Sequence, residues 1–251
     1  MRDSFRKALF FLALIGLWEL AGRLGLWPPY MLPRPSMVLL TLGAGFSDGS
    51  MPLAVLISLR RIALGFGISL AAGTTLGMAL GMSSALRSTL GTIVVGLQAL
   101  PSICWLPLAL LWFGLNERAI LFVVIMGAVL SITVSTEDGI RNIPPLFLRA
   151  AANMGARGLR LYTGVILPAA LPSIITGIKL GWSFAWRSLM AGELLYVSMG
   201  LGHLLMMGRE LNDMSQVIAV MVLLVAIGSF FDRLVFMRLQ RTVAEKWGVA
   251  V

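Results

Sequence analysis

Thr176, Lys179, Ser183 and Arg187 recur at intervals of three and four in an otherwise apolar stretch. On a helix that spacing places all four on one face. Such a stripe can line a path and give it a positive potential that favours small anions. A cation near the centre of a bilayer costs roughly 3 kcal/mol on insertion scales, so the stripe must face a polar interior. Lys179 has the alternative of snorkelling to an interface. Arg187 lies too deep for that, and either pairs structurally with an acid or lines the path. Glu193 follows it by six positions, about 240° around a helix, so the two do not share a face. A second polar group, Gln98 and Ser102, stands beside Pro101 and Pro107. Proline frees a carbonyl and kinks a helix, and in lipid such breaks persist only where protein or a watery cavity satisfies the freed groups. Gln98 and Ser102 therefore join the candidate path, with a simple packing kink as the alternative.

Other chemistry is missing from the sequence. It has no Gly-x-x-x-x-Gly-Lys-Ser/Thr, His-Glu-x-x-His or Gly-x-Ser-x-Gly pattern, so neither a nucleotide motor nor a familiar hydrolase is predicted. The single His203 offers no metal-ligand cluster, and the single Cys104 excludes an intrachain disulfide. No metal or other cofactor is expected in this chain.

The elements that must hold these residues follow from composition. The 251 residues are 58% hydrophobic and only 12% charged, with a mean hydropathy of +0.91. Soluble domains carry about 25% charged residues; here lipid must solvate the surplus of apolar side chains. Crossing about 30 Å of hydrocarbon takes roughly 20 helical residues. That ruler predicts an all-α, polytopic single domain with six spans near 8–26, 62–82, 90–113, 119–136, 172–197 and 217–236. The first is read as an uncleaved span, because no small-x-small cleavage site follows its basic start. The net charge of +9 does not indicate nucleic acid, since the basic residues punctuate the gaps between apolar runs. With the N-terminus inside, 12 Lys and Arg flank spans inside and six outside, which predicts cytoplasmic N- and C-termini. Arg60 and Arg61, against the second span outside, depart from the bias. Gly73, Gly77 and Gly81, spaced by four, predict close helix packing in preference to a hinge. The stretch Met37–Leu42 fits an interfacial helix, and the loop 198–213 a short re-entrant one.

The longest inside loop, 137–171, contains RAAANMGARGLRLYTGVILPAALP, residues 149–172. Helix formers from Pro145 to Met154 predict a short helix, which Gly155 can close with a positive φ. A second short helix is expected from Gly158 to about Val165, and Pro168 and Pro172 are expected to open the fifth span. The alanines leave a flat face suited to close approach of another protein. A helix lying on the membrane surface is the alternative.

These residues resemble the cytoplasmic Glu-Ala-Ala loop of permease subunits of ATP-binding-cassette importers: Glu-Ala-Ala, three residues, Gly, nine residues, Ile-x-Leu-Pro. Ala150, Ala151, Gly155, Val165, Leu167 and Pro168 occupy its places with the spacing intact, whereas Arg149 stands where the family has Glu. WELAGRLGLWPPYMLPRPSMVL, LQALPSICWLPLALLWFGLNE and AWRSLMAGEL further resemble the nitrate/sulfonate/taurine branch. The resemblance implies the type I importer permease fold and a non-catalytic membrane subunit. It implies a coupling surface of Arg149, Ala150, Ala151, Ala152, Gly155, Ala156, Leu167 and Pro168 that docks into a cytoplasmic ATPase. Two ATPase copies binding ATP and Mg, a second permease subunit, most simply a copy related by a twofold axis with a paralogue as the alternative, and a periplasmic or lipid-anchored substrate-binding protein are the implied partners. The implied location is the bacterial inner membrane. With Arg149 in place, either the ATPase carries a complementary acid or nearby Glu137 and Asp138 take over part of the role. The rival function, an autonomous secondary carrier, needs intramembrane acids to couple to ions; Glu19 and Glu193, both at outer ends, are the ones this reading finds.

Overall fold

The computed structural model describes residues 2–195 and 198–247, and among them every regular element is helical. In chain order these are α1 (Arg2–Arg23), α2 (Pro35–Ser47), α3 (Ser50–Met82), α4 (Ser84–Gln98), α5 (Ser102–Phe113), α6 (Glu117–Arg141), α7 (Pro145–Asn153), α8 (Tyr162–Leu195), α9 (Leu201–Glu210), α10 (Met214–Phe231) and α11 (Met237–Trp247). Among the described residues four helices are long and apolar enough to cross a membrane, and the bent pair α4–α5 makes a fifth candidate. The expected first span does not reach that standard. Between Lys7 and Glu19 only 11 residues are uncharged, about 16 Å of helix, half of a hydrocarbon layer.

Other boundaries also move. α3 begins 12 residues before the expected second span, so Arg60 and Arg61 lie inside a helix and do not flank one. Their charge is met by Glu117 in the first turn of α6, at 2.9 Å from Arg60 and 3.2 Å from Arg61. The third span is not a kinked rod: α4 and α5 meet at 103° across residues 99–101. Pro107 bends nothing, because it occupies the first turn of the helix Leu106–Phe113, where a missing N–H costs nothing. Pro168 and Pro172 do not open the fifth span either. Helix runs unbroken from Gly158 through a π turn at Tyr162–Ile166 into Leu167–Leu195, with Pro172 inside it. Tyr196 and Val197, the expected end of that span, lie outside the described residues.

The chain divides into two compact units, Met1–Ser58 with Glu193–Ala226, and Leu59–Gly192 with Ile227–Val251. In the second unit α6 is the core helix. Of its apolar stretch 56% is buried, against at most 33% for the other three long helices. Glycines let its neighbours approach. A Cβ on Gly73 would sit 2.8 Å from the Val129 carbonyl oxygen, on Gly77 2.5 Å from that of Thr133, and on Gly81 2.9 Å from Ile140 Cβ. On α8, a Cβ at Gly181 would meet Ile132 at 2.7 Å, and one at Gly177 would collide with Ser135. The stripe is a packing surface, as its small-residue spacing predicts. α4 and α5 close over α6 through Val94 against Leu130 and through Leu106 and Ala109 against Ala119 and Val123.

In the first unit, Glu19 on α1 accepts hydrogen bonds from Arg23 Nε at 2.9 Å and from the backbone N–H and hydroxyl of Ser36, both 3.1 Å, at the start of α2. The expected apolar segment 37–42 is thus part of a 13-residue helix tied to α1 at its positive end.

Candidate functional site

The coupling segment folds as its sequence requires. Pro144 is extended at ψ 129° and Pro145 opens α7, since proline fits only the first turn. At the other end Gly155 takes φ +80°. The Ala156 N–H then reaches the Ala151 carbonyl at 2.9 Å and the Gly155 N–H that of Ala152 at 3.0 Å. This is a Schellman closure, which favours glycine at the left-handed position. Downstream, Gly158 at φ +54° starts the next helical turn, which runs directly into α8 and is no separate helix.

The two sides of α7 differ. Ala151 is buried, and Leu148 packs with Leu167 against the cluster of Ile143, Ala170 and Ile174. Arg149, Ala150, Ala152 and Gly155 are exposed, Ala156 and Pro168 half-buried. Leu146, Phe147 and Met154 are left 74%, 55% and 83% exposed, an apolar patch on an otherwise anchored helix. Leu146 and Phe147 were absent from the sequence-predicted surface, although PLFLRAAAN places them on the turn before Arg149. The proposed substitute for the missing family Glu fails in part. Glu137 is buried and points inward, 3.6 Å from Arg87 and 3.5 Å from Arg141. Asp138 is exposed and lines a cavity of about 280 Å³ with Ser135, Pro172, Ser173 and Thr176.

The predicted path residues separate into groups. Gln98, Ser102 and Arg187 come together at a cavity of about 320 Å³, formed where α4 breaks from α5 and lined also by Pro101, Gly127 and Ser131. Arg187 Nε donates to the Ser183 carbonyl at 3.2 Å, and its guanidinium carbon lies 4.7 Å from the Phe184 ring centroid. Among the described residues Arg187 makes no ion pair. Thr176 lies at the smaller cavity beside Asp138. Ser183 lines neither cavity and donates to the Lys179 carbonyl at 3.2 Å.

Lys179 is drawn aside. Its Nζ stands 3.0 Å from Asp232 Oδ1 on the π turn Asp232–Phe236 after α10, and it does not line the Arg187 cavity. The sequence reading passes over Asp232 although that residue lies within the expected sixth span. The signal is available: an acid at the end of an apolar helix needs a partner. Ser131, buried at the 320 Å³ cavity, was also missed. The run SITVST in α6 carries the hint, since polar side chains in a mostly buried helix need a polar neighbour.

Glu193 has a different task. It is 1% exposed. Ser58 Oγ donates to its carboxylate at 2.8 Å and the Gly202 N–H at 2.9 Å, while the Leu201 N–H donates to Ser58 Oγ at 2.9 Å. A carboxylate and a hydroxyl thus cap the start of α9 from a distance. A Cβ on Gly200 would sit 2.7 Å from that carboxyl, which explains the glycine. α9 occupies the loop read as a short re-entrant element, with His203 half-buried on it.

Residues 64–246 match the model of a protein family described as binding-protein-dependent transport system inner membrane component. An ABC transporter permease protein of Methanocaldococcus jannaschii is 34% identical over 86% of this chain and 83% of its own length. A protein of Bacillus subtilis named as an aliphatic sulfonates transport permease, SsuC, is 30% identical over 98% of this chain and 89% of its own. Among solved structures, an inward-facing form of the MetNI methionine ABC transporter superposes with a TM-score of 0.65 at 20% identity, covering 74% of this chain and 92% of that one.

Proposed function

This chain belongs to the binding-protein-dependent transport inner membrane components, in their nitrate/sulfonate/taurine branch, and from that premise we propose how it works as an ABC transporter permease. It carries a small oxyanion of the sulfonate, taurine, nitrate or bicarbonate kind inward. It performs no catalysis itself; ATP and Mg are bound by two copies of a cytoplasmic ATPase. A second permease copy completes the pathway about a twofold axis, and a periplasmic or lipid-anchored binding protein delivers the solute. The C-terminus is cytoplasmic, two crossings beyond α7, and the N-terminus lies on the same side only with α1 as a further crossing.

The observation that carries this reading is the two-sidedness of α7. Ala151 and Leu148 hold it to the bundle, while Leu146, Phe147, Arg149, Ala150 and Met154 face outward. An apolar patch exposed on a fixed helix is a docking surface in need of a partner. Motion of that partner is transmitted through Leu148 and Leu167 to α8, the helix that carries Arg187. An acid on the ATPase answers Arg149. The Arg187 cavity, at about 320 Å³, lies at the lower end of the range of small-molecule sites, and a guanidinium is suited to a planar or tetrahedral oxyanion.

The test reconstitutes the full chain with its ATPase and binding protein and measures ATP turnover and solute uptake together. Leu146→Asp with Phe147→Asp lowers both by at least tenfold while leaving the thermal unfolding of the isolated permease unchanged. Undiminished uptake by that variant removes α7 as the coupling element.

A further inference from the structure

Beyond α10 the chain carries a basic cluster that transport does not use. Arg233, Leu234, Met237, Arg238 and Arg241 line a groove of about 590 Å³. Leu234, Arg238 and Arg241 fall at i, i+4 and i+7, so one helical face presents guanidinium and apolar groups together. All five are exposed, Leu234 by 40% and Met237 by 37%. Among the described residues none of the three arginines makes an ion pair. Of the nearest carboxylates in sequence, Asp232 is engaged by Lys179 at 3.0 Å, and the exposed Glu245, four residues after Arg241, forms no ion pair with it among the described residues.

The opposite side of this turn is fastened. Phe236 is buried with its ring centroid 5.9 Å from that of Trp182, and Phe231 lies 4.7 Å from the same indole. The groove is therefore held in place and is not a loose tail.

Its position identifies the occupant. α10 is 18 residues without a charge, about 27 Å of helix, close to one hydrocarbon thickness. The first arginine follows two residues after its end. At that level a bilayer offers phosphate and the first methylenes of an acyl chain, matching three guanidiniums set around Leu234 and Met237. We propose that this groove binds the headgroup of an anionic phospholipid and so fixes the end of α10 to the lipid surface. Basic clusters directly beyond a membrane helix gain about 1 kcal/mol per residue from anionic lipid, about fivefold each.

The experiment uses the purified full chain, exposed in detergent to an equimolar mixture of phosphatidylglycerol and phosphatidylcholine, with retained lipids counted by native mass spectrometry. The native chain retains phosphatidylglycerol over phosphatidylcholine by at least tenfold. The triple variant R233Q/R238Q/R241Q reduces the preference to within about twofold, and R233K/R238K/R241K keeps most of it. Should the glutamine variant not fold, competition on the native chain decides, because equal retention of both lipids overturns the proposal. Unchanged preference in a folded glutamine variant overturns it too. Displacement of the lipid by millimolar inorganic phosphate would assign the groove to a free anion, and loss of ATPase binding with lipid preference intact would assign it to a protein; either result also rejects lipid as the occupant. None of these readouts depends on transport.

Discussion

At the scale of single residues, three charges inside apolar helices have been given three different fates. Glu193 is spent on structure, capping α9 through Ser58 and Gly202. Glu193→Ala strands a buried N–H and a buried hydroxyl, so unfolding stability falls by about 1–3 kcal/mol per orphaned group, read as a lower midpoint in detergent; Glu193→Gln, which keeps an acceptor, loses less. Lys179 is matched by Asp232, both partly exposed. A double-mutant cycle on the pair should give no more than about 1 kcal/mol. Arg187 alone looks into a cavity. Arg187→Gln should raise the half-saturating solute concentration by at least tenfold with the fold intact, and Arg187→Lys should restore part of the affinity. Spacing revealed the Thr176–Lys179–Ser183–Arg187 stripe, because helical periodicity is a local property. It did not reveal that Lys179 leaves the stripe, since that depends on an acid 53 positions away.

Elements were legible where apolar runs match the bilayer ruler, as in α6, expected at 119–136 and found as Glu117–Arg141. They were misjudged where charge is neutralised inside the fold. Arg60 and Arg61 look like the end of a span until Glu117 is seen beside them. The 103° turn at residues 99–101 exceeds what Pro101 suggests by itself, because α6 provides the surface over which α4 and α5 fold. The glycines were read correctly, since a four-residue spacing of small side chains has few other uses. Gly77→Val puts a Cβ 2.5 Å from a backbone oxygen that cannot rotate away. It should destabilise the α3–α6 contact by about 1–3 kcal/mol, measurable as a lower unfolding midpoint. Gly155→Ala forces alanine to φ +80° at about 1–2 kcal/mol. It should lower ATP-coupled uptake more than it lowers the midpoint, because only the end of α7 is disturbed.

For the whole molecule, membership of the permease family and the anchored, outward-facing α7 describe a transmission part. In the proposed mechanism, force applied at Leu146 and Phe147 would pass to α8, which carries Arg187, through the packing of Leu148 and Leu167 on Ile143, Ala170 and Ile174. Composition and the spacing from Arg149 to Pro168 made the membrane class and the family readable in the sequence, because both are recorded locally. The cavity at Arg187 is not recorded in that way, since Gln98, Ser102, Ser131 and Arg187 meet only after α4, α5, α6 and α8 pack. The central claim is that energy arrives from a separate ATPase through α7. It is tested most directly in proteoliposomes containing the permease with or without that ATPase, with ATP enclosed and with labelled oxyanion and its binding protein supplied outside. The account predicts uphill uptake only with both the ATPase and ATP present, and none from the permease alone under any imposed proton or sodium gradient. Concentrative uptake by the permease alone, without nucleotide, would contradict it.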